Sequence, residues 1–238
     1  MKKTPIILLT LLLSLVLAAC GAPSAAAPSS TQPPDAVKFA DPVLEAMIRG
    51  TLGLPEGDIP LAQAQAVTRL DLASRYHDYF PDESPITDIS GLEAFTGLQS
   101  LDLSGQAVSD LSPLAGLTKL TSLALGGNPV ADVSPLAGLT SLKLLILSGS
   151  QAEDYGALAN LVNLQVLLLD NSTITDLSPL ASLTNLRQLY LANTSLEDLS
   201  PLETIYPNLE KKDFIIATTL KELGFNLDGN SHQAFFDG

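Results

Sequence analysis

The 238 residues carry 12 basic and 26 acidic side chains, a formal charge of −14. That surplus of acid argues against nucleic acid and anionic lipid as partners, because both are held by basic patches. The single cysteine cannot close an intrachain disulfide, and two histidines are too few for a nitrogen-rich metal centre.

Lys2 and Lys3 precede an apolar run, Ile6 to Leu17, broken only by Thr10 and Ser14. A basic start, about a dozen apolar residues and then small side chains fit a secretory signal over residues 1–19; a spanning helix needs ~20 apolar residues. Leu17-Ala18-Ala19-Cys20 resembles the lipobox of bacterial lipoproteins. The resemblance implies cleavage before Cys20 and lipidation of its sulfur, with palmitate-like chains. Acyl chains at ~0.8 kcal/mol per buried CH₂ would hold the protein on a membrane. The alternative is an ordinary signal with an incidental cysteine. Cleavage would remove two lysines and no acid, so the exported chain is more negative still. Gly21 to Pro34 is built of Ala, Pro, Ser and similar residues that bury too little apolar area to fold. Residues 20–36 are therefore predicted to be a lipidated cysteine and a tether. Roughly 200 residues remain, enough for one well-buried elongated domain.

A helical N-terminal cap is predicted over residues 37–66. Asp41-Pro42 reads as an N-cap followed by proline at the first helical position, and Gly53 as the stop. Val43, Leu44, Met47, Ile48 and Leu52 share one face, and a second short helix is expected from Leu61 to Ala66. Val67 to Leu72 is the first predicted strand, followed by an irregular loop, Ala73 to Pro85. From there a unit recurs every 22 residues, opened by Ile86, Val108, Val130, Ala152, Ile174 and Leu196. Each opening is followed two residues later by an acid: Asp88, Asp110, Asp132, Asp154, Asp176 and Asp198. Each full copy carries L-x-x-L-x-L, as in Leu120, Leu123 and Leu125. A fixed period of this length and spacing marks a solenoid of stacked strand-and-turn units over residues 67–214. In the last copy Lys212 stands where a core leucine belongs and Phe214 restores the final core position. Residues 215–238 are predicted to be a C-terminal cap and tail, with a short helix after Thr218 or Thr219 and a loose end after Asn226.

Within a unit the two leucines of L-x-L point inward, because strand side chains alternate. Ser-Pro-Leu at 112–114, 134–136, 178–180 and 200–202 opens the return segment, with serine as the cap and proline as the first helical residue. Repeat one has Ser90-Gly91 instead. Repeat four has Gly156-Ala157 without a cap and is expected to be locally weakest. The position after the strand that serves the buried turn holds Gln106, Asn128, Ser150, Ser172 and Thr194. Hydroxyls satisfy fewer backbone groups than a carboxamide, so this ladder is expected to be looser, or to use Asn171 and Asn193.

These copies, with the helical segment Phe39 to Arg49 before them, resemble the internalin-like bacterial leucine-rich repeat family over residues 37 to 214. The resemblance implies an α/β solenoid: a leucine-rich-repeat right-handed superhelix with short parallel strands on the concave face. It also implies a surface-exposed protein–protein binding scaffold.

The outward strand positions line that face. Leu144, Ile146, Val166, Leu168 and Tyr190 should form one apolar patch on adjacent strands, with Ala124 and Gly126 leaving a shallow hollow beside it and Asp102 and Asp170 as a polar rim. A contiguous apolar patch with tyrosine at its edge suits a protein partner. The alternatives are cover by the tail through Phe235 and Phe236, or self-association. The acid column from Asp88 to Asp198 does not converge on one point as calcium requires; each Asp is expected to accept backbone N–H groups at the turn into the next Ser-Pro. The loop with His77, from Arg75 to Glu83, is the place where an enzyme would be sought, but no oriented nucleophile or base partner is identifiable. No catalytic residue, metal or cofactor is expected. The predicted function is that of a lipid-anchored, extracytoplasmic protein-binding module of the cell envelope, on the cell or outer membrane. The alternatives are a surface adhesin or host-interaction factor using the same face and, third, an enzyme using the His77 loop.

Overall fold

A computed structural model describes residues 36–73, 84–215 and 235–236. The signal segment, Cys20, the tether up to residue 35, the His77 loop, His232 and the helix expected after Thr218 lie outside them. Among the described residues, seven short strands form one parallel sheet in sequence order: β3 (Arg69–Asp71), β4 (Ser100–Asp102), β5 (Ser122–Ala124), β6 (Leu144–Ile146), β7 (Val166–Leu168), β8 (Gln188–Tyr190) and β9 (Lys211–Lys212). The register is one repeat per strand: Leu101, Leu123, Leu145, Leu167 and Leu189 lie side by side. The central leucine of each of these strands is buried, and so is the leucine that follows the strand, as at Leu103, Leu125 and Leu147. The return segments are tight 3-10 turns, such as Ser134–Gly138 and Ser178–Ser182, each burying one leucine.

The acid of each repeat sets that turn. Asp110 Oδ1 accepts the Ser112 N–H at 2.8 Å; Asp88, Asp132, Asp176 and Asp198 make the same bond at 2.8 Å with Ser90, Ser134, Ser178 and Ser200. This is the expected role of the acid column. The expected serine caps are not found: the 3-10 turns begin on the serine itself, and their cap residues make no side-chain bond. The turn is instead held by the carboxylate two residues earlier, which accepts the serine's own N–H as in an Asx turn. Repeat four keeps the bond without Ser-Pro, since Gly156 N–H donates to Asp154 Oδ1 at 2.6 Å.

A solenoid repeat buries its leucines only against its neighbours, so both ends need cover. At the start, β1 (Ala36–Val37) pairs antiparallel with β2 (Ile59–Pro60), and α1 (Pro42–Leu52) and α2 (Leu61–Ala66) follow them. Asp41 caps α1 through Val43 N–H (2.8 Å) and Leu44 N–H (3.2 Å), and Gly53 ends it at φ 66°. Leu44 and Ile48 are fully buried. The other oxygen of Asp41 accepts the N–H groups of Thr87 (2.9 Å) and Asp88 (3.3 Å), which ties the cap to the first full repeat. Repeat one departs from the other copies where this cap packs. A Cβ at Gly91 (φ +104°) would lie 2.4 Å from Lys38 O, and one at Gly97 2.1 Å from Gln65 O. Phe95, in place of a leucine, meets the ring of Phe39 at 6.3 Å.

At the other end β9 stops at Lys212, and the side chain of Asp213 takes over from a backbone carbonyl. The N–H of Leu169 bonds to a carbonyl of β8, but the N–H groups of Leu191 and Ala192 donate to the two oxygens of Asp213, both at 2.8 Å. Lys212 pairs in register with Leu189, yet its ammonium reaches out to the Leu209 carbonyl (3.2 Å) and over the Tyr206 ring (4.4 Å). An aliphatic stem can cover apolar surface while its charge stays wet. Phe214 takes the final core position, and β10 (Phe214–Ile215) pairs antiparallel with β11 (Phe235–Phe236).

The buried turn ladder thins toward the C-terminus. Asn128 bonds Val108 N–H, Leu103 O and Leu125 O at 2.8–3.0 Å, and Gln106 bonds Ile86 N–H and Leu72 O. At Ser150 the hydroxyl turns to the buried Tyr155 hydroxyl, 2.8 Å away. The small Ala152 stands in that repeat where the others hold larger aliphatics. At Ser172 the Oγ is buried with no partner. Asn171 and Asn193 do not substitute in the ladder. They take the left-handed turn position (φ 58° and 56°) that Gly105, Gly127 and Gly149 fill earlier, and both are exposed. The later repeats are bridged on the outside instead: Asn163, Asn185 and Asn208 donate to Thr140, Val162 and Thr184 carbonyls one repeat back.

Two stability measurements follow. Asn128→Ala should cost about 3 kcal/mol in urea unfolding, because it strands three buried backbone groups, whereas Ser172→Ala should change stability by less than about 0.5 kcal/mol. Equal losses would refute the ladder assignment. Burial pushes Asp41 up, but hydrogen bonds from Thr87, Leu44, Asp88 and Val43 outweigh it and hold the carboxyl below its ordinary value of 3.8. Its contribution is therefore full above about pH 4 and lost as pH falls through the lower folded value. Asp41→Ala should cost about 3 kcal/mol at pH 7, and the gap to the parent should shrink in acid; a gap unchanged down to pH 2 would contradict the role of the charge.

Candidate interaction surface

The strand face opposite the core is made by the first and third residues of each strand. Their register forms two rows. One runs Ser122, Leu144, Val166, Gln188; the other runs Asp71, Asp102, Ala124, Ile146, Leu168, Tyr190. With strands about 4.8 Å apart, Leu144, Ile146, Val166, Leu168 and Tyr190 are contiguous across β6 to β8. The structure thus brings the five expected residues together on one surface.

The surface is shallower than an exposed patch. All five side chains are half-buried among their neighbours, and Val162, at 44%, is the exposed large hydrophobic among the described residues. The expected hollow is partly filled. Ala124 is only 7% exposed, and a Cβ placed on Gly126 would come within 3.2 Å of the Ile146 Cγ2 methyl. Ile146 therefore leans toward the glycine. A side chain at 126 would compete for that space.

The two acids named as a rim differ in setting. Asp102 lies in register with Asp71 on one side and Ala124 on the other, and accepts the Ser104 N–H at 2.9 Å. Asp170 lies two residues beyond Leu168 and accepts bonds from Ser148 Oγ (2.7 Å) and Asn171 Nδ2 (3.0 Å); Asn193 Nδ2 continues the chain to Asn171 Oδ1. Asp170 is thus fixed in place, and Asp71 is a further acid on the same face. It holds the same strand position as Asp102. Lys143 and Arg187 stand one residue before β6 and β8, at equivalent repeat positions two copies apart.

Phe235 and Phe236 pair antiparallel with Ile215 and Phe214. Among the described residues no group of three or more His, Cys, Asp or Glu side chains is placed to hold a metal ion. The acid column instead spends its oxygens on the turns. Asp110 and Asp176 are held below the ordinary carboxylate range by the hydroxyl and N–H of Ser112 and Ser178, and Asp132 by the N–H and hydroxyl of Ser134. Among the same residues no helix is long and apolar enough to cross a membrane.

A family model described as Leucine Rich repeats (2 copies) matches residues 162–204. A search of curated proteins gives no match. Among solved structures, internalin C2 from Listeria monocytogenes is 36% identical, with a TM-score of 0.66 over 73% of this chain and 74% of that one. Internalin F from the same organism is 29% identical, with a TM-score of 0.60 over 73% of this chain and 56% of its own. A leucine-rich-repeat protein of Leptospira interrogans, at 20% identity and a TM-score of 0.55, shares the fold alone. This fold typically serves as a non-enzymatic protein-interaction module. With 22-residue repeats in register and 36% identity across three quarters of internalin C2, the chain belongs to the internalin-like leucine-rich-repeat family.

Proposed function

We propose that this is a membrane-anchored protein-binding module, held outside the cytoplasm by lipid on Cys20 and engaging its partner through the concave strand face. The observation that carries the reading is the register of β6, β7 and β8, which makes Leu144, Ile146, Val166, Leu168 and Tyr190 one surface. Five half-buried apolar side chains lie side by side on a sheet already packed on its other side. They offer area to a partner at little ordering cost, because the short strands are fixed by the repeats on both sides. Asp170, held by Ser148 and Asn171, supplies a rigid polar edge. The protein acts by binding and not by catalysis.

The anchor is supported by Leu17-Ala18-Ala19-Cys20 directly after the apolar stretch, and by a Pro/Ala/Ser segment long enough to hold the repeats off a bilayer. In the producing cell, Cys20→Ala should release the protein from the membrane fraction and abolish incorporation of labelled fatty acid; continued attachment would sink the anchor.

The surface is tested with envelope extract and two baits, the parent chain and one carrying Ile146→Asp with Leu168→Asp. Circular dichroism and urea unfolding first establish that the second bait folds. A protein retained by the parent and lost from the variant, then rebound in purified form with the same dependence, is the expected result. The same proteins on both baits would move binding away from this face.

A further inference from the structure

Charge is sorted along each repeat. Between Leu98 and Ser200 the basic residues are Lys119, Lys143 and Arg187, and each stands between a return turn and the strand that follows it. The acids of the same stretch, from Asp102 to Asp198, all stand between the last residue of a strand and the next return turn. Lys211, the first residue of β9, continues the basic side in register with Gln188. The ends at which these strands start therefore form a basic edge in a chain that is acidic as a whole.

That edge borders the apolar surface. Lys143 directly precedes Leu144, Gln165 precedes Val166 and Arg187 precedes Gln188. Their backbones are linked in register, since Gln165 N–H donates to Lys143 O and Arg187 N–H to Gln165 O, both at 2.8 Å. Lys143 and Arg187 thus stand two strand steps apart, about 10 Å. Arg187 is aimed by its own turn. Its Nη1 donates to Leu186 O (3.0 Å) and Thr184 O (3.3 Å), while Nε and Nη2, a pair that can grip a carboxylate with two bonds, take no part in those contacts. Glu210 lies next to Arg187 in the last copy, yet the ion pairs among the described residues are Lys38–Asp58 and Arg49–Glu45. On the other side of the surface, Asp170 is bonded to Ser148, five residues after Lys143. At ~3.3 Å per residue that is about 16 Å, twice the screening length of ~8 Å in physiological salt. A group at the strand starts meets the cations first.

We propose that the partner of the strand face is a protein whose contact segment carries acidic side chains beside an apolar core. The apolar core lies on the Leu144 to Tyr190 surface, and the carboxylates lie along the strand-start edge, on Lys143, Arg187 and Lys211. The carboxamides of Gln165 and Gln188 are further donors between them. A free anion would leave the apolar side chains uncovered, and a segment with basic residues at that edge is repelled. The proposal rests on the strand-face reading above and adds the charge of the partner and the edge on which it falls.

The test is selection of displayed random peptides on the immobilised full chain, with counter-selection on the Ile146→Asp, Leu168→Asp chain. The expected result is enrichment of peptides in which Asp or Glu flanks apolar residues. A selected peptide, made synthetically, should lose at least about tenfold in affinity on the Lys143→Glu, Lys211→Glu chain, and its counterpart with lysine in place of the acids should prefer that chain to the parent. Glu210→Gln should tighten the acidic peptide. Lys38→Glu, which adds negative charge at the N-terminal cap, should leave the affinity unchanged. Circular dichroism and urea unfolding first establish that each variant folds. Peptides that depend on Ile146 and Leu168 but lack acids, or an affinity indifferent to Lys143→Glu with Lys211→Glu, would overturn the acidic partner while leaving the strand-face reading standing. An equal loss on Lys38→Glu would overturn it too, since total charge would then decide. Full displacement of the peptide by inorganic polyphosphate at matched charge would reassign the edge to anionic polymers. Absence of any peptide sensitive to Ile146→Asp would overturn the proposal, and capture of no face-dependent protein from envelope extract would remove the strand-face reading itself.

Discussion

No repeat of this chain can bury its own leucines; each one depends on the copy before and the copy after it. That constraint explains why the period is kept at 22 residues wherever the core passes, and why irregularity gathers at the two ends. The inward leucines of β4 to β8 lie in one register line, and a single inserted residue within a strand would turn a leucine out and its neighbour in. The ends meet the same constraint by different chemistry. At the start, one carboxylate serves both the first turn of α1 and the turn of the first repeat, and two glycines make room for the cap. At the finish, the Asp213 carboxylate, just past β9, accepts the N–H groups that follow β8, and Lys212 brings a charge to the exposed flank of the last layer.

The polar groups of the repeat show how substitutions compensate one another. Where the turn position is Asn128, the carboxamide meets three backbone groups at once. Where it becomes Ser150 or Ser172, the backbone N–H of the serine closes on the Leu147 or Leu169 carbonyl instead. In repeat four the space left by Ala152 coincides with the bulk of Tyr155, whose hydroxyl finds Ser150. The result is a scaffold held from inside at its N-terminal half and bridged along its exposed edge by Asn163, Asn185 and Asn208 at its C-terminal half.

Much of this was legible in the sequence, because a repeat states its own register. The period alone placed Leu144, Ile146, Val166, Leu168 and Tyr190 on one face, and Asp41 and Gly53 marked the bounds of α1. What the sequence concealed were choices between neighbouring polar groups. Serine before proline reads as a cap, but the turn is held by the aspartate two residues upstream, which accepts the serine's own N–H. Asn171 and Asn193 read as spare ladder groups, yet the tight turn demands a left-handed residue, and asparagine tolerates that conformation well. The depth of the face was also hidden, since the lean of Ile146 toward Gly126 depends on packing and not on pattern.

The claim that the strand face is the surface this protein uses is tested most directly by hydroxyl-radical footprinting of the intact protein, alone and with its captured partner. Val162, the exposed apolar side chain outside the strand face, serves as the internal reference. The account expects oxidation of Leu144, Ile146, Leu168 and Tyr190 to fall in the complex while Val162 keeps its rate. Protection of Val162 with the strand face unchanged would contradict it.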